Sequence, residues 1–211
     1  MNTLLPAVSF ERLFKTGIGP RDKFLSRLFG IFSEEIVRTW CRCAQAPYQD
    51  LGRPTVRLSA ESRGKALDFT FRSRADGRVF VSEMKCELEF ENYRYLTLTD
   101  HRQLAHHATD AFQRFLDLAR NPGAHGVTVN GKHVSPAGAI LVWGSVTGEG
   151  RVDVRQATGV VDVLSVEDII SDLLVWNPLE YREFVEARAQ WCEDLFGTLA
   201  GRGQRTTGVH T

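Results

Sequence analysis

Apolar residues recur every three or four positions between Phe24 and Trp40. Phe24, Leu25, Leu28, Phe29, Ile31, Phe32, Ile36 and Trp40 form one stripe, the period of an amphipathic helix. Its start is expected near Arg21 or Asp22, behind a turn at Gly17-Ile18-Gly19-Pro20, and Gly30 is a point where it could bend. Residues 47–54, with a proline at each end, read as a loop. The period then drops to two. Thr55-Val56-Arg57-Leu58 is a short alternating strand and Glu61 to Gly64 is turn chemistry. Two longer strands follow, Leu67-Asp68-Phe69-Thr70-Phe71 and Val79-Phe80-Val81-Ser82-Glu83-Met84-Lys85, the second continuing toward Phe90. Asp76-Gly77 between them is a favoured two-residue hairpin turn.

A helical period returns after Thr99 or Asp100, with Leu104, Ala108, Ala111, Phe112, Phe115 and Ala119 on one face, until Asn121-Pro122-Gly123 stops it. His125 to Pro136 reads as a loop. Ala139 to Trp143 is a continuous apolar run with the length and β-branching of a buried strand, and Gly159 to Leu164 makes another. Ser165-x-x-Asp168 and Asn177-Pro178-Leu179-Glu180 resemble capping boxes, the latter with proline at the first helical position. They introduce two closing helices, the second reaching about Leu199. The predicted order is helix, three strands, helix, strand, strand and two helices. That is a mixed α/β protein, read as a single domain over residues 1–200 with a loose tail at 201–211.

Composition narrows the function classes. The chain has 211 residues, 43% of them hydrophobic and 10% aromatic, enough to fill a core and to exclude wholesale disorder. Its 26 basic residues balance 26 acidic ones, which excludes a polycation that coats nucleic acid by bulk charge. Cys41, Cys43, Cys86 and Cys192 form no CxxC pair. Cys41 and Cys43 point to different sides of a helix, so the thiols read as buried and reduced rather than zinc-bound. No apolar run is long enough for a membrane span, and Met1 to Val8 lacks the features of a signal peptide. A soluble, cytoplasmic protein with no membrane partner is expected. Trp143, Trp176 and Trp191 read as packing residues.

Three charges stand inside the strands: Asp68, Glu83 and Lys85. Alternate residues of a strand share a face, so Glu83 and Lys85 project together. A two-residue turn at Asp76-Gly77 sets Asp68 opposite Lys85 and Thr70 opposite Glu83. The four then form one polar cluster, with Asp68 and Glu83 diagonal neighbours about 7–8 Å apart at Cα. The remaining positions are largely apolar. One reading is a site for Mg²⁺, an ion usually held by one or two carboxylates plus substrate phosphate, with Lys85 positioning water and offsetting transition-state charge. The other is a solvent-exposed sheet face with an Asp68–Lys85 ion pair, a common arrangement that contributes about 0–1 kcal/mol.

Asp68, fourteen intervening residues and Glu83-Met84-Lys85 resemble the D…ExK signature of the PD-(D/E)XK nuclease superfamily. The resemblance spans roughly residues 22–143. It implies a restriction-endonuclease-like αβββαβ core with a mixed sheet flanked by helices, plus C-terminal helices. Leu67 stands where the family's proline would be. The family often adds an acid from the first helix, for which Glu34 and Glu35 are candidates and Glu35 is chosen by helical phase. RecB-like members carry a glutamine on the helix after ExK, and Gln103 resembles it, although their following tyrosine is absent. On that helix Gln103, His107, Asp110 and Arg114 form a stripe able to face the hairpin, and His106 and His107 read as surface residues.

The resemblance thus implies a metal-dependent nuclease acting on DNA. Its metal ligands would be Asp68, Glu83, the Met84 carbonyl and Glu35, its cofactor Mg²⁺ or Mn²⁺, and its further catalytic groups Lys85 and Gln103. Arg72, Arg74, Arg78, Arg102 and Arg114 would be the phosphate contacts, and a homodimer is compatible with the family. The alternative is an inactive nuclease-fold module that binds nucleic acid or protein.

Overall fold

The helical stripe folds as expected into α1 (Lys23–Arg42), unbroken at Gly30. The face it buries carries Ser33, Val37, Trp40 and Cys41, whereas Ile31 is 65% exposed. In the computed structural model, residues 23–58, 63–86 and 96–201 are described, with side chains from Arg27 onward. The expected turn at Gly17–Pro20, the helix start at Arg21 or Asp22, part of the 61–64 turn, the extension toward Phe90 and the tail beyond Gly201 lie outside the described residues.

After α1 come β1 (Tyr48–Asp50), β2 (Pro54–Leu58), β3 (Lys65–Ala66), β4 (Phe69–Ser73), β5 (Val79–Lys85) and β6 (Thr97–Leu98). A 3₁₀ turn at His101–His106 precedes α2 (Asp110–Arg120). β7 (His125–Val129), β8 (Lys132–Val134), β9 (Ala139–Trp143) and β10 (Ser145–Val146) follow. Then come α3 (Gly148–Thr158), β11 (Asp162–Ser165), α4 (Val166–Trp176) and α5 (Leu179–Leu199). The chain is α/β, as expected. Its contacts divide it into two compact units, Met1–Val175 and Trp176–Thr211.

The main sheet has the order β1-β4-β5-β9-β11. β1, β4 and β5 run antiparallel in succession, and β5, β9 and β11 are parallel, so the sheet is mixed. On one face Phe69 and Phe71 stack at 5.4 Å between ring centroids, beneath Tyr48, with Trp40 of α1 6.4 Å from Tyr48. On the other face Val81, Leu141 and Trp143 join Phe112 and Phe115 of α2 and Val154 of α3 in one buried cluster. Helices therefore cover both faces.

Several elements depart from the predicted pattern. Residues 47–54 contain β1, which the prolines at 47 and 54 disguise. The strand at 54–58 leaves the main sheet and builds a second one, ordered β3-β2-β7-β8 and wholly antiparallel. Much of the expected loop at 125–136 is the β7–β8 hairpin, turned by Asn130 and Gly131 at φ 49° and 75°, the left-handed pair of a two-residue turn. The helix expected from Thr99 splits because it holds two caps. Asp100 and Gln103 close a capping box around the 3₁₀ turn, and Thr109 accepts from the Phe112 N–H to start α2.

Helix α3 is absent from the predicted order because Gly148 and Gly150 hide it. Gly150 is required there: a Cβ would collide with the Leu98 carbonyl of β6. Ser165 caps α4 through the Asp168 N–H at 3.2 Å. Asn177 instead sits at φ 48° and leaves Pro178 as the residue before α5, with no side-chain cap. Trp143 is buried as expected, while Trp191 on α5 is 57% exposed.

Candidate functional site

The hairpin that carries the charges closes through four residues, not two. Ser73 N–H donates to Arg78 O at 2.8 Å and Gly77 N–H to Ser73 O at 2.9 Å. The physical cause is local. Asp76 turns its carboxylate onto the Arg78 N–H and guanidinium, while Arg74 N–H donates to Pro47 O and its guanidinium to Cys41 O at the end of α1. The register shifts by two, pairing Phe69 with Ser82 and Phe71 with Phe80. Asp68 itself lies in a bend just before β4, its N–H donating to Ser82 O at 3.2 Å. An even shift preserves which side each strand residue faces, so Thr70, Glu83 and Lys85 still share a face, and the Asp68 carboxylate stands close enough to Glu83 to oppose its ionisation.

Asp68 is fixed by two donors: Met84 N–H to Oδ2 at 2.8 Å and Arg53 Nη2 to Oδ1 at 3.0 Å. Glu83, 5% exposed, accepts from Lys85 Nζ at Oε1. Lys85 Nζ also lies 5.5 Å from the Phe112 ring centroid, beneath α2. Burial pushes the Glu83 carboxyl up to about 7, with Lys85 opposing the shift and Asp68 reinforcing it. The Thr70 hydroxyl is buried on the same face without a hydrogen-bond partner. The expected Asp68–Lys85 pair on a solvated sheet is thus replaced by two other pairs, Arg53–Asp68 and Lys85–Glu83, on a face covered by a helix.

The remaining candidates lie elsewhere. Glu35 and Glu34 both bind Arg38, at 3.1 and 3.0 Å, and Arg38 lies over Phe69 on the opposite side of the sheet. At about 100° per residue, Glu35 projects away from the buried face of α1, because that face is set by Val37 and Trp40 rather than Ile31. Gln103 is consumed by its cap: Oε1 accepts from Thr99 N, Thr99 Oγ1 and Asp100 N, and Nε2 donates to Thr97 O. The stripe expected with it is broken by the two-helix arrangement, and Asp110 pairs with Lys65 at 3.0 Å. Among the arginines expected to meet phosphate, Arg78 pairs with Asp76, Arg102 with Asp100, and Arg74 holds the end of α1.

One residue joins the site that the sequence did not place there, and another, expected on a stripe able to face the hairpin, does so buried. Arg53 arrives from the turn between β1 and β2. His107, expected at the surface, is buried against Trp143 and Phe112 at 5.4 Å from each ring. Burial, with His106 and Lys85 nearby, pushes its imidazole down to about 3, so it is neutral at pH 7. The sequence signal for His107 was Thr109, the N-cap that starts α2 two residues later.

The donors around Asp68 and Glu83 are hard oxygens, which suit Mg²⁺ or Mn²⁺ rather than a soft metal. A cationic group already contacts an oxygen of each carboxylate, which is the charge such an ion would supply. Among the described residues no group of three or more His, Cys, Asp or Glu side chains converges on a metal position, so the protein carboxylates available to an ion here number two. Among the described residues no helix is long and apolar enough to cross a membrane. No protein-family model, curated protein or solved structure matches the chain.

Proposed function

We propose that the chain is a metal-dependent nuclease that hydrolyses phosphodiester bonds in DNA, with a restriction-endonuclease-like core and Asp68, Glu83 and Lys85 as its working groups. The observation that carries this reading is the buried Glu83 beside the Asp68 carboxylate, with Lys85 two residues along the same strand and bonded to Glu83. Two adjacent carboxylates repel, and burial makes the repulsion costly, so stability alone does not favour the pair. Perturbed acids of this kind cluster at functional sites. The order α1, β1, β4, β5, α2, β9, with β5 and β9 parallel, supports the αβββαβ reading.

In this mechanism Asp68 and Glu83 would hold the ion, with the Met84 carbonyl as a further ligand. Mg²⁺ or Mn²⁺ supplies Lewis-acid charge and a bound water of lowered pKa. Lys85, anchored between Glu83 and the Phe112 ring, orients the attacking water and offsets charge on the phosphoryl oxygens. Glu35 and Gln103 take no part. A second reading, the inactive binding module, draws on Arg53 and Lys85 already neutralising both acids.

The test is incubation of the protein with duplex, branched and single-stranded DNA and with RNA, in Mg²⁺, Mn²⁺ or EDTA. Cleavage is expected with metal and not in EDTA. It should fall at least about 100-fold in Asp68→Asn, Glu83→Gln and Lys85→Met at unchanged fold content by circular dichroism. Undiminished cleavage by Asp68→Asn would overturn the site, and DNA bound but uncut in every condition would establish the binding module.

A further inference from the structure

Arg53 occupies a position that neither the sequence nor the D…ExK resemblance assigns. Its turn is built to hold it. Gly52 adopts φ 109° and donates its N–H to Asp50 Oδ1 at 2.9 Å. Asn130, from the β7–β8 turn, donates to Leu51 O at 3.2 Å. Pro54 then enters the second sheet opposite Val129. The backbone on both sides of Arg53 is therefore tied down, while its side chain is 59% exposed and, among the described residues, pairs with Asp68 Oδ1 at 3.0 Å. The other Asp68 oxygen already accepts from the Met84 N–H, which leaves Oδ1 the less encumbered atom for a cation, and the guanidinium stands on it.

We propose that Arg53 is a latch on this cation site: it holds Asp68 until a divalent ion takes Oδ1, and the freed guanidinium then grips a phosphate of the nucleic-acid strand. The inference rests on the metal-dependent reading of Asp68 and Glu83. The exchange follows from charge. An ion on Asp68 repels the guanidinium, and Arg is suited to bidentate phosphate contact. Ion binding and strand binding thereby become coupled through one side chain, and the coupling is reciprocal. An exposed ion pair is weak enough to be broken in this way.

The test uses the full chain and two probes. Mn²⁺ alone, titrated by electron paramagnetic resonance, is expected to bind Arg53→Gln about threefold more tightly than wild type, with Arg53→Lys between them and Asp68→Asn binding no ion at the site. Fluorescence anisotropy of a labelled DNA duplex in Ca²⁺ against EDTA is expected to show an ion-dependent gain in affinity that Arg53→Gln loses. Equal Mn²⁺ affinity in wild type and Arg53→Gln, with binding still lost in Asp68→Asn, would overturn the latch and leave the metal site standing. No Mn²⁺ binding by wild type would overturn both. An ion-dependent gain in DNA affinity that survives in Arg53→Gln would overturn the phosphate grip.

Discussion

Burying a carboxylate disfavours its charged form, and Glu83 is pushed up to about 7 by that burial despite the ammonium of Lys85 beside it. The folded chain therefore holds this proton more tightly than the unfolded chain, whose glutamate titrates near its ordinary 4.5. Its contribution to stability is fully present below about pH 4.5 and is lost as pH rises through 7. The melting temperature of wild type relative to Glu83→Gln should fall across that window and stay level above it. The total change is about 3–4 kcal/mol, at roughly 1.4 kcal/mol per pKa unit between 4.5 and about 7. Thermal denaturation of both proteins from pH 4 to 8 measures it, and a constant difference would remove the raised carboxyl. Glu83 and Lys85 were legible in the sequence because strand alternation depends only on parity, which survives a register shift of two, and Asp68 because it directly precedes the strand paired with theirs. Arg53 was not: its contact depends on a turn whose shape is set by Asn130, 77 residues away along the chain.

At the scale of elements, the helices and strands with a strong period were readable, and those punctuated by glycine or proline were not. β4, β5 and β9 follow the apolar pattern closely, and α1 forms over the predicted span but buries a face set by Val37 and Trp40 instead of Ile31. β1 lies between two prolines, and α3 begins with two glycines in three residues. The two glycines of α3 carry opposite predictions. Gly148 has open space where a Cβ would stand, so Gly148→Ala should stabilise by about 0.5–1 kcal/mol through the unfolded chain and helix propensity. Gly150→Ala must push a methyl into the backbone of Leu98 and Thr99, which should destabilise by about 1–3 kcal/mol as overpacking does. Urea denaturation separates the two. Equal effects would mean that α3 does not lie against β6. The β7–β8 hairpin is a different case, because Asn130-Gly131 is a strong turn signal flanked by alternating residues, and its place inside an expected loop concealed it.

At the scale of the whole molecule, the charge balance is zero, and the same balance recurs within the site, where Asp68 and Glu83 face Arg53 and Lys85. A neutral patch attracts nucleic acid weakly, and a divalent ion would turn it positive by two charges. Of the arginines expected to meet phosphate, Arg74, Arg78 and Arg102 are already engaged within the chain. Affinity for DNA should therefore depend on few phosphate contacts. Each neutralised phosphate of duplex DNA contributes about 0.9 to the slope of log affinity against log salt, so two or three contacts centred on Arg53 and Lys85 give a slope no steeper than about −3. Anisotropy titrations in Ca²⁺ from 50 to 300 mM NaCl measure this slope. Arg53→Gln should make it shallower by about one, since it removes one cation from one phosphate. A slope near −6 in wild type would place the main nucleic-acid surface on cations outside this hairpin, and an unchanged slope in Arg53→Gln would separate that side chain from the strand.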